Sequence, residues 1–419
     1  MRQRSTDHRV PASVTVIGAG IVGLSCAWSL QEHGIEVCVV DRGRPGAGAS
    51  RQNAGYLSPT LCVPLPEPSI LRYGVRAILS PRSPVSLVRA HDPVLVRFLA
   101  TMARSCTTSA WRRSMVAYRA LNERAVDAYH RQLDAGVLAE IRSADVLACF
   151  ADPRESAGFL HEVEEVVGAG QAADVALLTG DEAREAEPHL SERVDIAVAV
   201  RGQQYLTPSA YVAALAKSVE DRGGKIVEDT PVTAVERRGG TLVASGPRGE
   251  LQADAMIVAA GAWARKLLAD HGVRVPIYGG RGYSFTVAVD RPFARLLYLP
   301  LARVAVTPQG DRARFAGIME FGSPDAAMRP ARIAHMLRAA RPMLRHVDWS
   351  TRSDDWMGPR PLSADGVPLV GATRTPGLYV AGGHGMWGVT LGPLTGSLLA
   401  ARIATGVDPP ELAPLDPCR

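Results

Sequence analysis

Lysine is almost missing from this 419-residue chain, which carries only Lys217, Lys225 and Lys266 among its 47 basic residues. The positive charge is scattered arginine, and the net charge of +5 is not gathered into blocks. Aromatic residues are also scarce, at 5%, and none interleaves with a basic cluster, which excludes a nucleic-acid-binding surface. No apolar run reaches the roughly 18–20 residues of a membrane-spanning helix. Val14–Ile17 is too short and too glycine-punctuated to be a secretory signal core. The six cysteines (Cys26, Cys38, Cys62, Cys106, Cys149 and Cys418) form no CxxC pair and no metal-ligand spacing. That spread excludes a zinc site and a disulfide framework, so the expectation is a reducing, cytoplasmic compartment and no metal.

What is present is a folded chain. Hydrophobic residues make up 47% and charged residues 21%, a globular composition. The length suggests two or three domains, or two lobes built from interleaved segments. The clearest architecture lies near the amino end. Val14–Ile17 reads as a strand, followed by Gly18-Ala19-Gly20-Ile21-Val22-Gly23, a helix from Leu24 to about Glu32, Gly34 as its cap, and a second strand, Glu36–Val40. This is the opening of a doubly wound sheet. In G-x-G-x-x-G the first glycine permits a tight turn and the second lets main-chain amides approach a diphosphate. The third lets strand and helix pack closely, with the helix N-terminus facing the anion. Asp41 ends the second strand, where its carboxylate accepts hydrogen bonds from ribose hydroxyls. An acid there disfavours a 2′-phosphate, so these residues point to FAD or NAD rather than NADP.

Two further blocks continue the pattern. Thr207-Pro208 reads as N-cap and first residue of a helix that Gly223-Gly224 stops, with strands at Lys225–Glu228 and Ala255–Ala259. Near the carboxyl end, a strand at Leu378–Ala381 leads through a glycine-rich turn into a helix from about Pro393 to Ile403. The intervening residues, about 62–200, read as mostly helical with proline-initiated helices. Strand-like runs follow at Tyr283–Val289, Ala302–Thr307 and Arg314–Met319, then a helix from Ala331 to about Leu344. The expected fold is α/β. A Rossmann-type dinucleotide-binding lobe is assembled from 12–65, 200–272 and 354–410, and a mixed-sheet substrate lobe from 66–199 and 273–353.

Seven stretches carry a resemblance. They are V-I-G-A-G-I-V-G-L-S at 16–25, S-x-x-N-A-G-Y at 50–56, P-V-T-A-V at 231–235 and I-V-A-A-G-A-W-A at 257–264. R-G-Y-S at 281–284, W-M-G-P-R-P-L-S-A-D-G-V-P-L-V-G at 356–371 and Y-V-A-G-G-H-G-M-W-G-V-T-L-G-P at 379–393 complete the set. In this order they resemble the D-amino-acid oxidase/dehydrogenase superfamily of FAD enzymes, most closely bacterial D-amino-acid dehydrogenases and glycine oxidases. The resemblance implies the glutathione-reductase-like FAD fold and a non-covalent FAD. It implies hydride transfer from the α-carbon of an amine to flavin N5, giving an imine that hydrolyses to a keto acid.

Carried over residue by residue, it implies cofactor contacts from Gly18–Gly23, from Asp41 and Arg42, and from Ser50, Asn53, Ala54 and Gly55. Val232, Ala260, Gly261 and Trp263 would flank the dinucleotide. Gly383, His384, Gly385, Met386, Trp387, Gly388, Val389 and Thr390 would form the turn beside the flavin. Amides at the start of the last helix would stabilise charge on the reduced ring, by about 0.3–1 kcal/mol per charge. Arg360 matches the family arginine that pairs with the substrate carboxylate, and it also reaches the cofactor. Its planar fork suits bidentate recognition. Pro359 departs from the larger aliphatic residue usual in relatives. Arg281 and Tyr283 lie on a strand that faces the flavin in the family; substrate contact and core packing both remain open for them. The chain has no lysine after Lys266 to activate oxygen, which favours a dehydrogenase using a quinone or electron carrier over an oxidase using oxygen. The implied substrate is a D-amino acid. A secondary amine such as an N-substituted glycine is the alternative, and a non-catalytic FAD-binding subunit a further one. Attachment to the inner face of a membrane and a homo-oligomer both stay open.

Overall fold

The computed structural model describes residues 9–69, 85–87 and 92–419. Strand β1 (Ser13–Ile17), helix α1 (Ile21–Gln31) and strand β2 (Glu36–Val40) form at the expected place. β1 and β2 run parallel, Val14 opposite Val37. The helix starts at Ile21 rather than Leu24. Gly20 is its N-cap without a capping side chain of its own, and the Ser50 hydroxyl accepts from the Ile21 N–H instead, at 3.0 Å. One of the four orphan amides of a helix start is thereby satisfied from the loop after β2.

Three segments far apart in sequence build one six-stranded sheet. Its order is Lys225–Val227, β2, β1, Ala255–Val258, Leu378–Gly382 and Leu369–Ala372. All neighbours are parallel except the last pair. α1 is buried almost all round, because it lies between this sheet and the last helix. That last helix runs Gly388–Thr405, so Pro393 sits inside it rather than at its start. A helical proline deprives the carbonyl four residues earlier of its donor. Here that carbonyl is Val389, and the buried Tyr129 hydroxyl from helix Thr108–Asp134 donates to it. The proline is tolerated because a neighbouring helix replaces the missing bond.

A nine-stranded mixed sheet forms the second layer. Its spine is three long antiparallel strands: Val347–Ser363, Ile277–Val289 and Arg312–Phe321. The first passes through residue 354, so residues on both sides of the expected lobe boundary at 353/354 share one strand. The expectation that 62–200 is mostly helical holds among the described residues, although the stretch also contributes strands that it did not foresee. Helices Pro93–Ser105, Thr108–Asp134 and Pro153–Gly168 are present, but Val146–Phe150, Val175–Thr179 and Ile196–Val200 are strands of the nine-stranded sheet. Their short β-branched and apolar runs (VLACF, VALLT, IAVAV) fit a pleated, buried surface better than an amphipathic helix. Residues 70–84 and 88–91 of that stretch lie outside the described residues. Among the described residues, no helix is long and apolar enough to cross a membrane.

Candidate active site

A cavity of about 1180 Å³ lies where the two sheets meet. Single small-molecule clefts are usually about 300–1,000 Å³, so this volume accommodates a dinucleotide as well as a small substrate. At one end the turn after β1 contributes Gly18, Gly20, Ile21 and Val22, and the end of β2 contributes Asp41 and Arg42. Asp41 accepts hydrogen bonds from the N–H of Ala19 at 2.7 Å and of Gly43 at 2.9 Å, which aim its carboxylate. Burial raises its pKa above the ordinary aspartate value, partly offset by those two amides. Ser50 and Asn53 line the same wall, with Val232, Ala260, Gly261 and Trp263 beyond them. Gly23 stands behind the turn. A Cβ there would fall 1.9 Å from the Gly18 carbonyl oxygen, so strand and helix meet at a distance only glycine permits.

At the other end the cavity is bounded by Arg360, His384, Gly385, Met386, Gly388 and Val389. Two chain segments are pinned together here, because the Gly385 N–H donates to the Pro361 carbonyl at 2.8 Å. His384 is fully buried, its Nε2 within 2.9 Å of the Thr395 hydroxyl. Its Nδ1 has no hydrogen-bond partner among the described residues. Burial drives its pKa down to about 4, which keeps the ring neutral at physiological pH. Unfolded, the imidazole takes a proton near 6.5 and folded only near 4, so stability falls as pH drops through that window. The whole difference is worth about 3 kcal/mol. Urea titrations across that window should show His384→Gln losing less stability than the wild-type protein; parallel curves would contradict the assignment.

Arg360 projects over Gly282, where a Cβ would lie 2.3 Å from the guanidinium carbon. The strand opposite is bulged, and Ile318 adopts a left-handed φ of 52°. That conformation is costly for a β-branched residue, and it turns the Ile318 carbonyl to accept from Arg360 Nη1 at 2.7 Å. Burial lowers the Arg360 pKa to about 10, which leaves it charged at neutral pH. No carboxylate lies within salt-bridge reach of it among the described residues. A cation in that position is set for an anion from outside the chain.

Several expected contacts are placed elsewhere. Arg281 and Tyr283 do not line the cavity. Alternation along Ile277–Val289 turns both to the face opposite Gly282, where with Glu320 they form a buried cluster. Of the two readings left open for them, the structure shows packing, and it does not bear out their candidacy as catalytic residues. Burial alone would raise the Glu320 pKa, but hydrogen bonds from Tyr283 and Arg281 outweigh it and hold the carboxylate below its usual range. Ala19, Gly23, Ala54, Gly55, Gly383, Trp387 and Thr390 support the cavity walls without lining them. Trp387 Nε1 donates to the Val63 carbonyl at 2.7 Å, and the Thr390 hydroxyl donates to the Tyr56 carbonyl at 3.1 Å. The cavity also collects residues that no motif marked: Asp92, Arg265, Lys266, Tyr278 and the turn Ser323–Ala326. They come from a helix start, a short helix, the strand Ile277–Val289 and a loop, and only the tertiary fold brings them together.

A parallel sheet opening on a glycine turn, an acid at the ribose position and a second sheet closing the crevice define a two-layer dinucleotide-binding oxidoreductase. FAD fits this cradle: the close approach at Gly23, the aimed Asp41 carboxylate and the unpartnered His384 Nδ1 all face or frame the cavity.

The family of FAD dependent oxidoreductases called DAO matches residues 13–402, and the chain belongs to it. It is an FAD-dependent oxidoreductase. A D-amino acid dehydrogenase of Rhizorhabdus wittichii is 30% identical over 397 residues, covering 92% of this chain and 95% of the relative. Among solved structures, a glycine oxidase from Geobacillus kaustophilus superimposes with a TM-score of 0.73 at 24% identity, covering 99% of both chains. An L-α-glycerophosphate oxidase from Mycoplasma pneumoniae with FAD bound gives 0.71 at 15% identity, covering 94% of both.

Proposed function

We propose that this enzyme oxidises the Cα–N bond of a D-amino acid. The observation that carries the reading is Arg360, a cavity-lining cation without a carboxylate partner among the described residues, beside the turn at His384–Gly388. A substrate carboxylate docked on its fork would fix one of the four groups around the α-carbon and leave the C–H direction to the cavity shape. Bound FAD supplies the two-electron acceptor: the amino acid loses a hydride from Cα and a proton from nitrogen, and water converts the imino acid to keto acid and ammonia. Neutral His384 keeps one ring N–H and one acceptor nitrogen, and it lines the cavity with its Nδ1 unpartnered among the described residues. Gly282 keeps the floor flat so that Arg360 can lie across it. The D-amino acid dehydrogenase relative supports the choice of substrate.

The acceptor that reoxidises the enzyme is, in this reading, a quinone or soluble carrier rather than oxygen. The absence of any lysine beyond Lys266 supports it. Six unpaired cysteines support a cytoplasmic location. The test is anaerobic mixing of the holoenzyme with D-amino acids, N-alkyl glycines and the matching decarboxylated amines. The expected result is flavin bleaching by D-amino acids and none by amines lacking the carboxylate. Bleaching by N-methylglycine alone would move the substrate to secondary amines, and bleaching by no compound would point to a subunit without turnover of its own.

A further inference from the structure

We propose that Asp325 is a cofactor-retaining residue, which with Arg42 and Trp263 latches the Ser323–Ala326 turn across the dinucleotide and slows FAD release. The inference rests on the FAD cofactor and not on the identity of the substrate. Asp325 belongs to the loop after strand Arg312–Phe321, in the nine-stranded layer. Arg42 follows β2, and Trp263 follows strand Ala255–Val258, both in the six-stranded layer. One carboxylate oxygen joins the layers: Asp325 Oδ1 accepts from Arg42 at 3.2 Å and from Trp263 Nε1 at 2.9 Å. The third side of the triangle closes as well, with the Arg42 guanidinium 4.5 Å above the Trp263 ring. All three residues line the cavity, as do Ser323, Pro324 and Ala326.

The turn that carries Asp325 is built to hold its position. It is closed internally, the Ala326 N–H donating to the Ser323 carbonyl at 3.2 Å. Its leading end is tied by Gly322 N–H to the Gly279 carbonyl at 3.4 Å. Its trailing end is tied to the buried cluster beneath: Arg281 donates to the Ala327 carbonyl at 3.3 Å, and Arg329 to Glu320 at 2.9 Å. Arg281, Tyr283 and Glu320 thereby become positioning residues for the turn. The latch itself is wet. The Arg42 and Asp325 side chains are 53% and 57% exposed, so their attraction is modest and is screened by salt over about 10 Å at 0.1 M. A closure of this kind opens often enough to let FAD leave, and each contact removed makes it open more often.

The experiment follows free-flavin fluorescence after dilution of holoenzyme, for wild type, Asp325→Ala, Asp325→Asn, Arg42→Ala and the Arg42→Ala/Asp325→Ala double variant. The expected result is release about 5–20-fold faster for Asp325→Ala, the sum of one exposed ion pair and its hydrogen bond to Trp263. Asp325→Asn should fall between, because the amide oxygen still accepts from Trp263 but carries no charge. The double variant should release FAD more slowly than the product of the single effects requires, since both changes open one latch. Added salt should speed release from wild type more than from Asp325→Ala. Release rates within twofold of wild type, or fully multiplicative effects in the double variant, would overturn the proposal. So would a lower Tm of the apoprotein with no change in release. Because the readout is FAD release alone, a failed amine panel would leave the latch standing and a successful panel would not rescue it.

Discussion

Arg360→Ala is expected to lower kcat/KM for a D-amino acid by two to three orders of magnitude. The docked carboxylate would lose its counter-charge within the cavity. Breaking a desolvated charge pair from one side costs about 3–5 kcal/mol, and each ~1.4 kcal/mol is a factor of ten in rate. The loss should appear mainly in KM if the arginine binds substrate and transition state alike, and in kcat if it aligns the α-carbon for transfer. Arg360→Lys should recover only part of the deficit, because a point charge cannot reproduce the planar fork. Steady-state kinetics with an artificial electron acceptor, together with flavin content to confirm that cofactor is still bound, read this out. A loss below fivefold would take Arg360 out of substrate recognition.

Gly23→Ala should yield protein that purifies without flavin. The added methyl group would sit 1.9 Å from the Gly18 carbonyl oxygen and 3.2 Å from the Ala259 Cβ. The obstruction is main chain rather than a flexible side chain, so relief requires α1 to move away from β1. That movement would also displace the amides that face the diphosphate. The check is the ratio of flavin to protein absorbance after purification and again after incubation with excess FAD. A normal ratio would mean that the turn tolerates the shift.

Much of this was legible in the sequence, for a physical reason that differs from residue to residue. The Gly18–Gly23 turn, its flanking elements and Asp41 are local: their spacing alone fixes a strand, a turn, a helix and a second strand. Arg360 was legible only through the resemblance of its Gly358-Pro359-Arg360-Pro361 motif to the family's, not from its local pattern. Arg281 and Tyr283 were not, since which face a strand residue occupies depends on how the strand is laid against its neighbours, and a bulge beside Ile318 intervenes. The start of the last helix was hidden by Pro393, whose usual role as a helix beginner is overridden by a hydroxyl from a helix more than 250 residues earlier. Asp325 carried no signal at all. Its partners Arg42 and Trp263 lie 283 and 62 residues away, and nothing in the loop around it marks an acid as different from any other exposed one.

The scarcity of lysine has a practical side. Of the three side-chain amines, Lys217 is engaged by Asp221 on an outer helix and Lys225 sits on an edge strand, while Lys266 stands exposed at the rim of the cofactor cavity. Dyes, cross-linkers or resins that couple through primary amines therefore concentrate a third of their side-chain targets at an exposed residue of the cofactor cavity. Attachment through carboxylates would spread the chemistry over more of the surface, although Asp41, Asp92 and Asp325 line the same cavity and Glu187 and Glu320 are buried.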